Sequence, residues 1–281
     1  MRVKIIVDST ADLQPQIEEK VGIVPLSVRF GQQEYLSGVT IDSRKFYELL
    51  SESEELPTTS QPTPFAFAEA FRNAVEDGYE VICITCSGKL SGTNQSANIA
   101  AAEFSGKVHV VDSNTIAIAQ GILAEYAVNL AEEGLSSEII LEKLLSKRDK
   151  NRLLALVDTL EYLKKGGRVS SAAALTGSLL NIKPLIAVED GMLKVIGKAR
   201  GSRQGNKLLV QEIQKVGGID FDMPLMLGYT GLSDAQLQKY VQDSGVLWEA
   251  HTEELPVSMV SSVVGTHTGP GAVAVAFFAA E

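Results

Sequence analysis

Cysteine is almost missing from the 281 residues: there are two, Cys83 and Cys86, and three histidines. Both thiols fall in the run Glu80-Val-Ile-Cys-Ile-Thr-Cys86, which has the β-branched character of a strand, so they are expected on opposite faces. A redox Cys-x-x-Cys opens a helix instead, and the scattered histidines supply no metal-site spacing, so buried thiols are expected and neither a metal nor a redox cofactor. No apolar run reaches the roughly 20 residues that a membrane helix needs. The opening Met-Arg-Val-Lys-Ile-Ile-Val meets Asp8 too soon for a signal-peptide core, which leads us to expect a soluble, cytoplasmic protein. Basic residues are outnumbered 25 to 35, a net charge of −10, and this excludes general nucleic-acid binding, which needs a basic footprint.

Nucleotide and hydrolase signatures are missing too. There is no Walker A pattern, and Gly88-Lys-Leu-Ser-Gly92 holds its serine out of register for a nucleophile elbow. Gly269, Gly271 and Ala274 imitate a dinucleotide fingerprint, but only ten residues follow Gly271, too few for the helix, strand and acidic residue that must come after. No independent catalysis is therefore expected. One segment departs from the acidic background: from Lys164 to Lys207, nine basic residues stand against Glu189 and Asp190, a local net charge of +7. It reads either as a landing site for an anionic headgroup or acidic partner, or as a solvated rim.

What the sequence does contain is alternation. Strand-like runs at Arg2–Val7, Ile23–Phe30, Val81–Thr85 and Val108–Val111 alternate with amphipathic stretches at 13–21, 43–51, 64–76, 91–104, 116–133 and 136–150. This is the pattern of parallel βαβ units with helices on both faces of a sheet. After the run 153–157 the order becomes mixed. Helices are expected at 160–165, 172–180, 203–216 and 233–243, and strands at 183–188, 193–198, 225–229 and 272–278, with Glu189-Asp190-Gly191 as a hairpin turn. The expected fold class is α/β, with an N-terminal three-layer α/β/α domain on a parallel sheet (residues 1–153) and a smaller C-terminal two-layer α+β domain on a mixed sheet (residues 154–281).

Polar residues gather at strand ends. Asp8-Ser9-Thr10, Cys86-Ser87-Gly88 and Asp112-Ser113-Asn114 each follow a parallel strand, where open sheets place their ligand crevice. Asp8 and Asp112 read as structural hydrogen-bonding residues. Leu90-Ser91-Gly92-Thr93-Asn94 opens a helix whose free N–H groups attract an anion, with Gly92 allowing close approach; Ser91 and Thr93 read equally well as caps. The proline-bracketed segment 56–64 carries Thr58, Thr59 and Ser60, as a preorganised binding loop or an ordinary stiff turn. Gly166 and Gly167 end a helix just before Arg168, the side chain best suited to a carboxylate, although a surface ion pair is the commoner fate of a single arginine. Gly265-Thr-His-Thr-Gly-Pro-Gly271 reads as a glycine-rich loop presenting His267 for a polar or ligand role.

Taken in order, Val7-Asp-Ser-Thr-Ala-Asp-Leu13, Thr59-Ser-Gln-Pro62, Leu90-Ser-Gly-Thr-Asn-Gln-Ser-Ala97, Val111-Asp-Ser113, the stretch 160–170, Lys183-Pro184 and Gly265-Thr-His-Thr-Gly-Pro-Gly-Ala272 resemble the DegV family from end to end. Asn94 and Cys86 depart from it, standing where relatives often carry an aromatic residue and a serine. The resemblance implies a long-chain fatty acid lying between the two domains, no other cofactor, and service as the acyl-carrying subunit of a fatty acid kinase whose separate ATP-binding subunit phosphorylates the carboxylate for phospholipid synthesis. It puts carboxylate contacts on Thr59, Ser60, Ser91, Gly92 and Thr93, the arginine at Arg168 and the histidine at His267. Transient membrane contact would fall to Lys194, Lys198, Arg200 and Arg203. The alternative is a small-molecule kinase or transferase component related to dihydroxyacetone kinase, with His267 as ligand anchor.

Overall fold

The computed structural model describes residues 2–169, 181–252 and 254–280. The chain starts with β1 (Arg2–Asp8), α1 (Pro15–Glu18) and β2 (Gly22–Val24). An antiparallel excursion follows, in which β3 (Ser27–Phe30) pairs with β4 (Gln33–Leu36) and, after α2 (Ser43–Glu52), with β5 (Thr58–Ser60). Then come α3 (Pro64–Glu76), β6 (Tyr79–Thr85), α4 (Thr93–Ala101), β7 (Val108–Asp112), α5 (Ala117–Glu132) and α6 (Ser137–Arg148).

The strands β2-β1-β6-β7 form a parallel sheet in that order. Their apolar runs are nearly continuous because both faces are covered. Ile6, Val81 and Cys83 pack on Phe67 and Phe71 of α3 and Ala97 of α4. Ile5, Val7, Ile82 and Ile84 point the other way, onto Ile118 and Ile122 of α5. Three layers result, and both cysteines are free and buried.

The second half runs β8 (Asn151–Leu156), α7 (Glu161–Gly166), β9 (Ile182–Glu189), β10 (Met192–Arg200), α8 (Ser202–Lys215), β11 (Met226–Tyr229), α9 (Ala235–Asp243), β12 (Val257–Met259), α10 (Ser262–Thr268) and β13 (Val273–Phe278). Its strands form a six-stranded mixed sheet, β10-β9-β8-β13-β11-β12, in which β11 and β12 pair in parallel. Leu154, Leu227, Val275 and Phe277 pack on Leu209 and Ile213 of α8 and Leu237 and Tyr240 of α9. The opposite face, with Met226, Ala274, Ala276 and Phe278, rests on α5, so one apolar core runs from the first sheet through α5 to the second.

Three local expectations differ from what is observed. The run 23–30 splits into β2 and β3 around Pro25, which has no N–H to give a ladder. The segment 56–64 contains the edge strand β5. Gly265–Gly271 is not a loop presenting His267: residues 262–268 form α10, and the extended turn begins only at Gly269, with φ 70°. The hairpin turn is made by two residues of positive φ, Asp190 (50°) and Gly191 (74°), the conformation that suits the twist of the flanking strands. The helix expected at 172–180 lies outside the described residues.

The packing of α5 against the β1 loop gives a test. A Cβ on Gly121 would stand 1.9 Å from the backbone oxygen of Asp12. Alanine is the better helix former by about 1 kcal/mol, but a backbone carbonyl cannot turn aside, and overpacking costs about 1–3 kcal/mol or more. Gly121→Ala should therefore destabilise the protein in urea unfolding; a stabilised variant would contradict this packing.

Candidate functional site

A slot, partly open to solvent, lies where the carboxyl ends of β1 and β6 and the start of α5 face the second sheet. Its walls are apolar: Leu26, Leu90, Ile116, Leu153, Leu163, Ile186, Leu193, Val260, Val263 and Val264. Gly228, Ala274 and Ala155 also line it, directly opposite one another across β11, β13 and β8. Thr59, Ser91, Arg168 and His267, from four separate elements, bring polar groups to this slot.

The alternation of β5 turns Thr59 inward and leaves Thr58 and Ser60 exposed. Ser91 sits in the turn before α4, with its N–H on the Ser87 carbonyl and its hydroxyl 2.8 Å from that of Thr93. Thr93 is fully buried. Gly92 is needed for another reason than ligand access: Gln61 Nε2 donates to the Gly92 carbonyl and to Ser96 Oγ, and a Cβ on Gly92 would lie 2.0 Å from Gln61 Oε1. Of the seven residues singled out in the sequence, four line the slot together, and Ser60, Gly92 and Thr93 stand outside its lining.

In α10, Thr266 and Thr268 return their hydroxyls to the Ser262 and Val264 carbonyls, and Gly265 lets α2 come close; a Cβ there would be 2.6 Å from Tyr47 Oη. This places His267 in the last turn, over the glycine end of α7, where a Cβ on Gly166 would be 2.3 Å from its Nδ1. His267 Nε2 lies 2.9 Å from Thr59 Oγ1. Arg168 Nη1 donates to the Gly166 carbonyl. Burial, and secondarily the Arg168 guanidinium, lower the His267 pKa to about 4. The imidazole is therefore neutral at pH 7, with Nδ1 buried and unpartnered among the described residues. In the tautomer where Nε2–H donates to Thr59, the threonine hydroxyl is free to donate into the slot.

Arg168 is the one charged side chain among the described lining residues, and no Asp or Glu joins it there. A carboxylate at this end would meet a full positive charge and hydroxyl donors with no competing anion, which a buried carboxylate requires. Among the described residues no cluster of His, Cys, Asp or Glu could hold a metal.

Of the three strand ends expected to line one mouth, two contribute, through Thr10 and Cys86; Ser113 and Asn114 border a different cleft. Asp8 is wholly structural: buried, it accepts from the N–H groups of Thr10 and Cys86, from Thr10 Oγ1 and from Gln120 Nε2. Burial nevertheless pushes its carboxyl up. Asp112 accepts from Gly88 and Asn114 N–H. Burial raises the thiols of Cys83 and Cys86 well above their usual range, so they are not nucleophiles. Gln61 and Thr268 carried no signal of their own in the sequence, although Gln61 lies in the same proline-bracketed segment as Thr59.

Comparison with known proteins adds the following. The family model described as "Uncharacterised protein, DegV family" matches residues 2–280. A DegV domain-containing protein of Deinococcus radiodurans is 36% identical over 282 residues, covering 98% of both chains. Among solved structures, a fatty-acid-binding DegV family protein from Thermus thermophilus superposes with a TM-score of 0.89 at 33% identity, over 99% of this chain and 100% of that one. A stearic-acid-binding protein from Eubacterium ventriosum superposes at 0.86 and 28% identity, over 98% and 97%.

Through His267, falling pH opposes folding. As pH falls, the unfolded imidazole takes its proton near 6.5 and the folded one only near 4, so the unfolded chain binds the proton first and stability is lost across that window, by up to about 3 kcal/mol. His267→Gln should flatten this part of the stability profile, and NMR titration of the parent should place the His267 midpoint below pH 5.

Proposed function

The chain belongs to the DegV family, and we propose from this premise that it binds one long-chain fatty acid in the slot between its two halves, taken as an N-terminal domain of residues 1–153 and a C-terminal domain of residues 154–281. The observation that carries the reading is an apolar slot reached by Thr59, Ser91, Arg168 and His267, with no acidic residue among its described lining. Arg168 neutralises the carboxylate, the hydroxyls of Thr59 and Ser91 donate to it, and neutral His267 orients Thr59. Ser60, Gly92 and Thr93 support this end from behind, as neighbours of the groups that touch the ligand. The tail supplies the affinity: at about 0.8 kcal/mol per buried methylene, a 16-carbon chain contributes on the order of 10 kcal/mol before ordering costs.

We further infer that the protein acts as a carrier without catalysis of its own, presenting the carboxylate to a separate ATP-dependent kinase subunit for phospholipid synthesis. The absence of Walker A and nucleophile-elbow patterns supports that division of labour. Lys198, Arg200 and Arg203 are exposed at the end of β10 and the start of α8, where they and Lys194 can approach an anionic membrane during loading. Lys194 is 3.1 Å from Glu189, so it contributes less than the other three.

Protein purified from bacteria and extracted with organic solvent should release a fatty acid detectable by mass spectrometry; clean apoprotein that also rejects added oleate and palmitate would refute the reading. Arg168→Ala should weaken oleate binding by tenfold to a few hundredfold, the usual cost of leaving a buried charge unpaired, and Ser91→Ala by several-fold.

A further inference from the structure

The segment entering α10 is held from outside by side chains far away in sequence. Gln14 Nε2 donates to the Val257 carbonyl at 3.1 Å, Tyr47 Oη to the Val260 carbonyl at 3.1 Å, and Ser262 Oγ to Ser37 Oγ at 2.8 Å. The shortest of these anchors is made by Asp12, whose Oδ1 accepts the Ser261 N–H at 2.7 Å across 249 residues. Ser261 is the N-cap of α10, and its own side chain makes no capping bond. Asp12 is only 4% exposed, and its Oδ2, like Ser261 Oγ, is buried without a partner among the described residues.

A buried carboxylate with one oxygen unsatisfied is costly to keep, and only Ser261 offsets part of that cost among the described residues. The cleft bordered by Asp12 is lined by serines and by Glu18 and Asp42, with no Lys, Arg or His among its described lining residues. Tyr47, on α2, faces it from the other side. Asp12 thus gains little for the fold as a charge; what it contributes is a hydrogen bond at one end of α10. At the other end, six residues on, stands His267, and Val263 and Val264 between them line the slot. A seven-residue helix is nearly rigid, so its start fixes the position of its last turn.

We propose that Asp12 is a positioning residue for the ligand site, holding the start of α10 so that His267 keeps its contact with Thr59 and stays sheltered beside Arg168. The inference rests on the fatty-acid reading for its effect on affinity but not for its effect on His267. The carboxyl, raised by burial to about 7, is partly ionised at neutral pH. The folded state takes up that proton more readily than the unfolded one, which titrates near 3.8, so between about pH 4 and pH 7 stability through this group falls as pH rises, and above pH 7, where both states are ionised, it changes no further.

The test is an NMR titration of His267 in lipid-free protein, paired with oleate binding. Asp12→Ala should raise the His267 midpoint by a unit or more and weaken oleate about tenfold, whereas Asp12→Asn, which keeps an acceptor for Ser261 and gives Ser261 Oγ a donor, should restore both. Asp12→Asn should also lose the decline in thermal stability that the carboxyl causes as pH rises from about 4 to about 7. If Asp12→Ala does not fold, Asp12→Glu, whose carboxyl is displaced by one methylene, is read in the same way. A folded Ala or Glu variant with an unchanged His267 titration overturns the proposal. A moved His267 midpoint in protein that binds no oleate supports it and sinks the fatty-acid reading instead.

Discussion

A helical segment buried around its whole girth has to be covered on every side, and the first two turns of α5 are such a segment. Residues 117–124 are all buried, without one polar face to give to water. One sheet covers it from the first half and the other from the second, and the two halves are joined because neither can shield α5 alone. The ligand slot follows from the same constraint. At the start of α5, Ile116 and Ala117 line the slot, where the two sheets are no longer kept apart by a full helix. Ala117 takes a left-handed φ of 60° there, an uncommon state for a residue with a Cβ, as the chain turns from the β7 loop into the helix.

Around that opening, polar chemistry is divided between fold and site. Asp8, at the end of β1, has hydrogen bonds on both oxygens and ties β1, β6 and α5 together. Arg168, in contrast, is satisfied only at its own turn, by the Gly166 carbonyl, among the bonds described for it, and it faces a slot without a carboxylate. In a protein of net charge −10, the described lining of this cavity holds Arg168 and no acidic side chain, so its local electrostatics oppose those of the chain as a whole.

The layers and the parallel sheet were legible in the sequence because periodicity is local: alternating β-branched runs and amphipathic stretches indicate strands and helices wherever they finally pack. Thr59, Ser91, Arg168 and His267 were legible as donors but not as neighbours, since nothing in one sequence reports that residues 59 and 267 lie within hydrogen-bond distance; the family resemblance supplied that link. Glycine misled twice. Gly265 and Gly92 suggested open backbone, yet each marks close packing, of Tyr47 against α10 and of Gln61 against the start of α4. Ser60 was set beside Thr59 by the family resemblance, and strand alternation turns the two apart. Asp12 left no trace in composition or spacing, because its importance lies in a bond to Ser261.

The row Gly228, Ala274 and Ala155 gives the slot a floor with almost no side chains. A surface made largely of backbone and methyl groups has no knobs to interlock with the bends of a chain lying on it. For the fatty acid proposed above, such a floor would separate greasy from polar cargo, since the area removed from water is nearly the same for any hydrocarbon, but would have little means of sensing where a double bond falls. Discrimination among tails is then left to the branched aliphatic walls, and Ile186, next in register after Ala155, is the first side chain large enough to impose a shape.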